Sequence, residues 1–215
     1  MRDFFSTPIL ALLLLSPSVS FAQSSFSTSD HASHHAPSHS AAAPATVSYA
    51  EKLSVRGVPN AGKVSEQLFR GAQPELDALG ELKKLGITTI VSLRSESSHT
   101  RATERTRAES LGMHFVSIPV AGFANPTSEQ LAQFFSLLRQ SPKEKVFVHC
   151  MLGDDRTGVF VAAYRLAFDH WTPDQALSEM NAFGFNHSWH HGMAVFVRDL
   201  PDRLQSDPVL KASLN

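Results

Sequence analysis

One cysteine in 215 residues, Cys150, rules out an internal disulfide, so it is either core filler or chemistry. Its neighbourhood points to chemistry. Val146 to His149 is a short apolar run suited to a strand, Met151 to Asp155 read as a tight loop, and Arg156 opens a long apolar stretch. Successive backbone N–H groups in such a loop converge on an anion, reinforced by the positive end of the following helix. Gly153 lets the chain curl closely, and the same field favours a thiolate, the nucleophilic form of cysteine. Arg156 offers a planar fork to two oxygens of a phosphate, and Thr157 can donate its hydroxyl to the sulfur. Loop residues Met151, Leu152, Gly153, Asp154, Asp155 and Arg156 form the expected phosphate-binding set, with His149 orienting the loop through its ring nitrogens.

Elements that could position this loop are legible on both sides. Gln67–Ala72 reads as a first strand, stopped at Pro74, and Leu76, Leu79, Leu82 and Leu85 recur near helical spacing up to Gly86. Ile87–Leu93 is β-branched and apolar, a buried strand; a polar helix over Thr100–Leu111 and a strand over Met113–Val120 follow. Thr127 and Gln130 make a capping box ahead of Leu131, Phe134, Phe135 and Leu138, one apolar helix face. Arg156–Phe168, apolar almost all round, predicts a buried helix. Thr172 and Pro173 start another, and Met193–Leu204 a last one. Strands alternating with helices predict an α/β domain with a central, mostly parallel sheet flanked by helices. In such sheets ligands sit beyond the carboxyl ends of the strands, where His149 and Cys150 fall.

His149-Cys150, five residues, then Arg156-Thr157-Gly158 resembles the signature loop of the protein tyrosine and dual-specificity phosphatase superfamily. The stretches Phe69–Pro74 and Ile90–Arg94 are similar to the opening strands of its atypical bacterial and fungal-type members. The resemblance implies the Cys-dependent phosphatase fold, Cys150 as nucleophile through a phosphocysteine intermediate, Arg156 as phosphate clamp, and no metal or cofactor. Many members carry a general-acid Asp on the loop before the third long helix. Here no carboxylate lies between Ser117 and Ser128, and Gly122 stands near the expected position. Losing such an acid costs about 10²–10⁴ in rate. Either the acid comes from elsewhere or the leaving group is a good one. Asp155 is the expected replacement, because myotubularin-type phosphatases, which this chain resembles there, place an Asp just before the signature Arg. Asp154 is the lesser candidate, and plain exposure or a loop-shaping hydrogen bond is the alternative for both.

Outside the domain, Arg2 and the apolar run Ile9–Leu15, broken by Ser16 and Pro17 and followed by Ser20, Phe21 and Ala22, read as a signal peptide over 1–22. The run falls short of the ~20 residues that span a bilayer, so no stable membrane anchor is expected and the chain is expected to be exported, periplasmic or secreted. Residues 23–52, rich in His, Ser, Ala and Pro, read as a disordered linker. Within it His31, His34, His35 and His39 could capture a metal weakly, against a plain solvated linker. The domain is then 53–215. A net charge of −1 gives no sign of nucleic-acid binding.

The expected partner is a phosphorylated protein or a small phosphomonoester, phosphotyrosine first. Asp154 and Asp155 would repel a polyphosphorylated lipid or inositol phosphate. A catalytically weak phosphate-binding pseudophosphatase, a phosphoinositide or inositol phosphate phosphatase, and a sulfurtransferase are the competing readings. Arg70 and Arg94 are expected to be structural ion-pair partners, Arg101, Arg105 and Arg107 a solvated helix face, and His187, His190 and His191 an ordinary polar turn.

Overall fold

A computed structural model describes residues 47–215. The expected signal segment, and His31, His34, His35 and His39, lie outside the described residues. Within them, six strands make one sheet: β1 (Glu51–Lys52), β2 (Gly62–Lys63), β3 (Leu68–Gly71), β4 (Ile87–Arg94), β5 (His114–Val120) and β6 (Lys145–His149), in the order β1-β2-β3-β6-β4-β5. Strands β3, β6, β4 and β5 run parallel; only the short β1 and β2 pair antiparallel. The helices are α1 (Leu79–Lys84), α2 (Ser98–Ser110), α3 (Ser128–Gln140), α4 (Asp155–Phe168), α5 (Pro173–Ala182), α6 (His191–Ser206) and α7 (Pro208–Leu214).

The parallel strands are buried on both faces, which explains their nearly continuous apolar sequences. Side chains alternate between two cores. Leu68, Val91, Leu93, Val146 and Val148 pack with residues of α3 to α7, while Phe69, Ile90 and Phe147 face α1 and α2 with Leu79, Leu82, Ala108 and Met113. Helix α3 has the expected capping box, with Thr127 and Gln130 bonded reciprocally, and buries Leu131, Phe134, Phe135 and Leu138. Thr172 and Gln175 repeat the device at α5. Ten of the fourteen residues of α4 are buried, so the helix behind the loop is the centre of the larger core.

Strand β6 was inserted last in the parallel set yet lies between β3 and β4. Its final residue, His149, is in register with Gly71 at the end of β3 and with Ser92 in β4. Chain direction diverges at this point, leaving a crevice at the carboxyl ends of the strands, and the Cys150 loop occupies it.

Two expectations need correction. The ordered fold does not start at Leu53: β1 lies at Glu51–Lys52, and buried Ala50 donates its N–H to Glu179 Oε1 at 2.6 Å. Six residues read as linker are therefore described with the domain. Helix α7 was not expected; it follows α6 after one residue, Asp207, whose carboxylate caps it by accepting from the N–H groups of Val209 and Leu210.

Candidate active site

Cys150 directly follows β6 and is only 2% exposed. Its sulfur accepts the N–H of Gly153 at 3.3 Å, which folds the loop back over it. Gly153 has φ +77°, and a Cβ there would lie 2.5 Å from Ala72 N and Gly71 C, so only glycine fits against β3. Gln73 N–H donates to Met151 O at 3.2 Å, and Asn60 Nδ2 to Leu152 O at 3.3 Å. Among the described residues, the N–H groups of Met151, Leu152, Asp154 and Arg156 enter no hydrogen bond with the protein. They are the donors an anion-binding loop requires.

Arg156 is buried, and its Nη1 alone is engaged: it donates to Val120 O at 3.1 Å and pairs with Glu96 Oε1 at 2.7 Å. The rest of the fork remains for an anion. Glu96 also approaches Arg94 Nε at 3.6 Å, and the paired guanidinium groups and its own backbone N–H hold its carboxyl below the usual range despite partial burial. Nothing in the local sequence marked Glu96, which sits 60 residues from its partner.

His149 is fully buried. Its Nδ1 lies 3.1 Å from the carbonyl oxygen of Cys150, which can only accept, in keeping with an orienting role. Its Nε2 lies 3.0 Å from Glu104 Oε1 on α2, at ion-pair distance but not aligned as a hydrogen bond. Glu104, also fully buried, and Ala108 are the inward residues of an otherwise polar, solvent-facing helix; a carboxylate at a core position was the available signal.

Other expectations change. Arg70 forms no salt bridge among the described residues. It is fully buried, donates from Nη2 to Gly153 O at 2.7 Å and lies 4.0 Å over the Phe183 ring, so it buttresses the catalytic loop. Burial brings its pKa down to about 10. Arg94 donates to Gln73 Oε1 at 3.0 Å, with Glu96 as a looser ionic neighbour. Thr157 is buried, yet its hydroxyl has no partner among the described residues, and no bond to the Cys150 sulfur is present.

The two loop aspartates separate by geometry. Asp154 turns its side chain back to accept the N–H of Asp155 at 2.8 Å, a helix-start cap. The Asp155 carboxylate instead lies 3.0 Å from His190 Nε2, so His190 is not part of an ordinary polar turn. Burial, then the adjacent Asp154 carboxylate, raise the Asp155 pKa, against the pull of His190 and Arg156. Met151 and Leu152 are exposed at the mouth. A separate cleft of about 390 Å³, lined by Thr89, His114, Phe115, Leu137 and Glu144, lies at the opposite, amino ends of β4 and β5, away from Cys150. Among the described residues no cluster of His, Cys, Asp or Glu could hold a metal, and no helix is long and apolar enough to cross a membrane.

A single cysteine over a helix start, with an arginine fork closing the loop, defines the class of Cys-dependent phosphatase folds. The sequence model of the family described as DSP-PTPase phosphatase fused to NAD+ kinase matches residues 49–193, and the chain belongs to this family. Dual specificity protein phosphatase TpbA of Pseudomonas aeruginosa is 29% identical over 149 residues, covering 69% of this chain and 66% of its own length, just under two thirds. Human dual specificity protein phosphatase 26 is 27% identical over 126 residues, 56% of this chain and 58% of that one. A crystal structure of P. aeruginosa TpbA in complex with pTyr superposes with a TM-score of 0.62 at 22% identity, over 80% of this chain and 99% of that one. The catalytic core of the PP-IP phosphatase SIW14 from S. cerevisiae gives 0.61 at 19%, over 74% and 94%. These likenesses establish the fold.

Proposed function

We propose that the protein is a phosphoric monoester hydrolase working through a phosphocysteine, with phosphotyrosine on a protein as its preferred substrate. The observation that carries the reading is the loop itself: Cys150, free N–H donors and the half-occupied Arg156 fork converge at the helix start. Cys150 sulfur attacks phosphorus as the bond to the ester oxygen breaks, and the leaving oxygen takes a proton from Asp155. Water then attacks the phosphocysteine, giving its proton to the Asp155 carboxylate, and the S–P bond breaks to release phosphate. Through both steps the N–H groups and Arg156 hold the equatorial oxygens. Asp155 suits the acid role because burial and Asp154 help it keep its proton.

Substrate preference follows from charge. Glu96 pairs with the Arg156 fork, Asp154 and Asp155 directly precede it in the chain, and Met151 and Leu152 are the exposed side chains of the loop. This favours one phosphate on an apolar aryl group over a ligand with several phosphates.

The test is hydrolysis of phosphotyrosyl peptide, phosphoinositides and inositol pyrophosphate by purified protein and by two variants. Cys150→Ser should keep the fold and abolish turnover. Arg156→Lys should lose roughly 10²-fold or more, because a point charge cannot replace the fork. Turnover by folded Cys150→Ser protein would end the phosphocysteine reading, and preference for the polyphosphates would end the substrate reading.

A further inference from the structure

The loop between β5 and α3, which has no carboxylate, reaches the active site through an aromatic ring. Phe123 is 82% exposed, yet it lies against His190, with ring centroids 5.4 Å apart and planes 17° from parallel. The same imidazole lies near Phe185, centroid to centroid 6.1 Å, and its Nε2 is at ion-pair distance from Asp155 Oδ2, 3.0 Å, without the alignment of a hydrogen bond. A second link joins the two loops: Asn125 Nδ2 donates to Gly192 O at 3.4 Å. The side chains of His190 and Asp155 are 12% and 18% exposed, so this pair is shielded although it borders the mouth.

We propose that His190 is the positioning residue of the acid Asp155, and that Phe123 clamps the His190 ring in place. The proposal rests on the reading of Asp155 as the acid. With Nε2 3.0 Å from Oδ2, the ion-pair contact restrains that oxygen and leaves Oδ1 to carry the proton that goes to the leaving oxygen. In the second step the same imidazole steadies the carboxylate while it accepts the proton of water. Exposed large aromatics are costly to leave in water, and the stack gives the Phe123 ring a partner. Thus a loop without its own acid still acts on protonation of the leaving group, at one remove.

Charge around the pair sets the expected pH behaviour. Asp154 and Arg156 flank Asp155 on its own element, His190 faces it from the turn before α6, and Glu96 offsets Arg156 from the loop after β4. His190 stabilises the Asp155 carboxylate, so removing it should leave the proton more tightly held.

The experiment compares phosphotyrosine with dinitrophenyl phosphate, whose oxygen leaves without a proton. Asp155→Asn should slow phosphotyrosine by about 10²-fold or more and dinitrophenyl phosphate much less. His190→Ala should slow phosphotyrosine about 10-fold with the same selectivity and move the basic limb of its kcat profile to higher pH. The double variant should be no slower than Asp155→Asn alone. His190→Gln, which retains an N–H donor, should recover part of the loss, as should Phe123→Tyr relative to Phe123→Ala. His191→Ala, removing an exposed neighbouring imidazole, should behave as the parent. A selective Asp155→Asn together with a His190→Ala that is silent, or slows both substrates equally, overturns the proposal and leaves the acid in place. An unselective Asp155→Asn removes the acid itself, and His190 loses this role with it.

Discussion

Asp155 joins two properties that oppose each other. Its carboxyl is half-buried beside Asp154, and these two causes raise its pKa over the restraint of His190 and Arg156. A carboxyl whose folded pKa lies above its unfolded value binds more protons in the folded state, so stability declines as pH rises from the unfolded value of 3.8 through the folded one. At neutral pH the charged form is therefore a burden on the fold. Asp155→Asn should melt at or above the parent temperature at pH 7, and the difference should close below pH 3.8. Thermal melts across that range check it, and a variant that melts lower at pH 7 would show that the carboxylate is net stabilised. The expected pattern is lost activity with gained stability, as when function is placed at a strained site. The loop that carries Cys150, Asp155 and Arg156 could be located because it is written in one short run of residues. The partners of these residues could not. Glu96, Glu104, Arg70 and His190 come from four other segments, and no local pattern records which side chain a fold brings opposite an arginine or a histidine.

At the scale of elements, the long helices and parallel strands declared themselves by periodicity, and capping boxes at Thr127 and Thr172 marked two helix starts to the residue. Strands β1 and β2, two residues each, are too short to show any period, and they exist by pairing, β2 with the edge of β3 and β1 with β2. The catalytic loop is an element of another kind, held by backbone contact with β3 rather than by a hydrophobic face. Gly153 is its hinge point, in left-handed backbone and almost touching Gly71 and Ala72, while Arg70 grips its carbonyl. Gly153→Ala should thus cost more than the roughly 1–3 kcal/mol of backbone strain, since the new methyl meets backbone that cannot yield. Urea unfolding should show the loss, and vanadate affinity should fall as the loop opens. Wild-type stability in Gly153→Ala would mean the loop has an alternative path against β3.

The whole molecule is tied together by a buried ion pair behind the loop, where Glu179 also acts on Arg70. Arg165 of α4 binds Glu179 of α5 through two bonds, Nη2 to Oε1 at 2.7 Å and Nε to Oε2 at 3.1 Å. Arg165 also pairs with Asp169 at 2.7 Å and lies 4.2 Å over Trp171. Glu179 Oε1 further accepts the N–H of Ala50, so one carboxylate joins the first described strand region to the two helices that support the loop. Both charges are buried, and removing one partner leaves the other without compensation, which costs about 3–5 kcal/mol where measured. Glu179→Ala should fall in that range by urea unfolding. Glu179→Gln should cost less, because an amide oxygen can still accept one bond. The pair Lys84–Glu81 on α1 has nearly the same separation, 2.9 Å, but is solvent-exposed, so Glu81→Gln should change stability little. A chain beginning at Leu53 should lose part of the Glu179 contribution and one beginning at Val47 should keep it, because only the latter includes Ala50. Equal stability of the two chains, or equal effects of Glu179→Ala and Glu81→Gln, would mean that the carboxylate does not tie the N-terminal strand to α4 and α5.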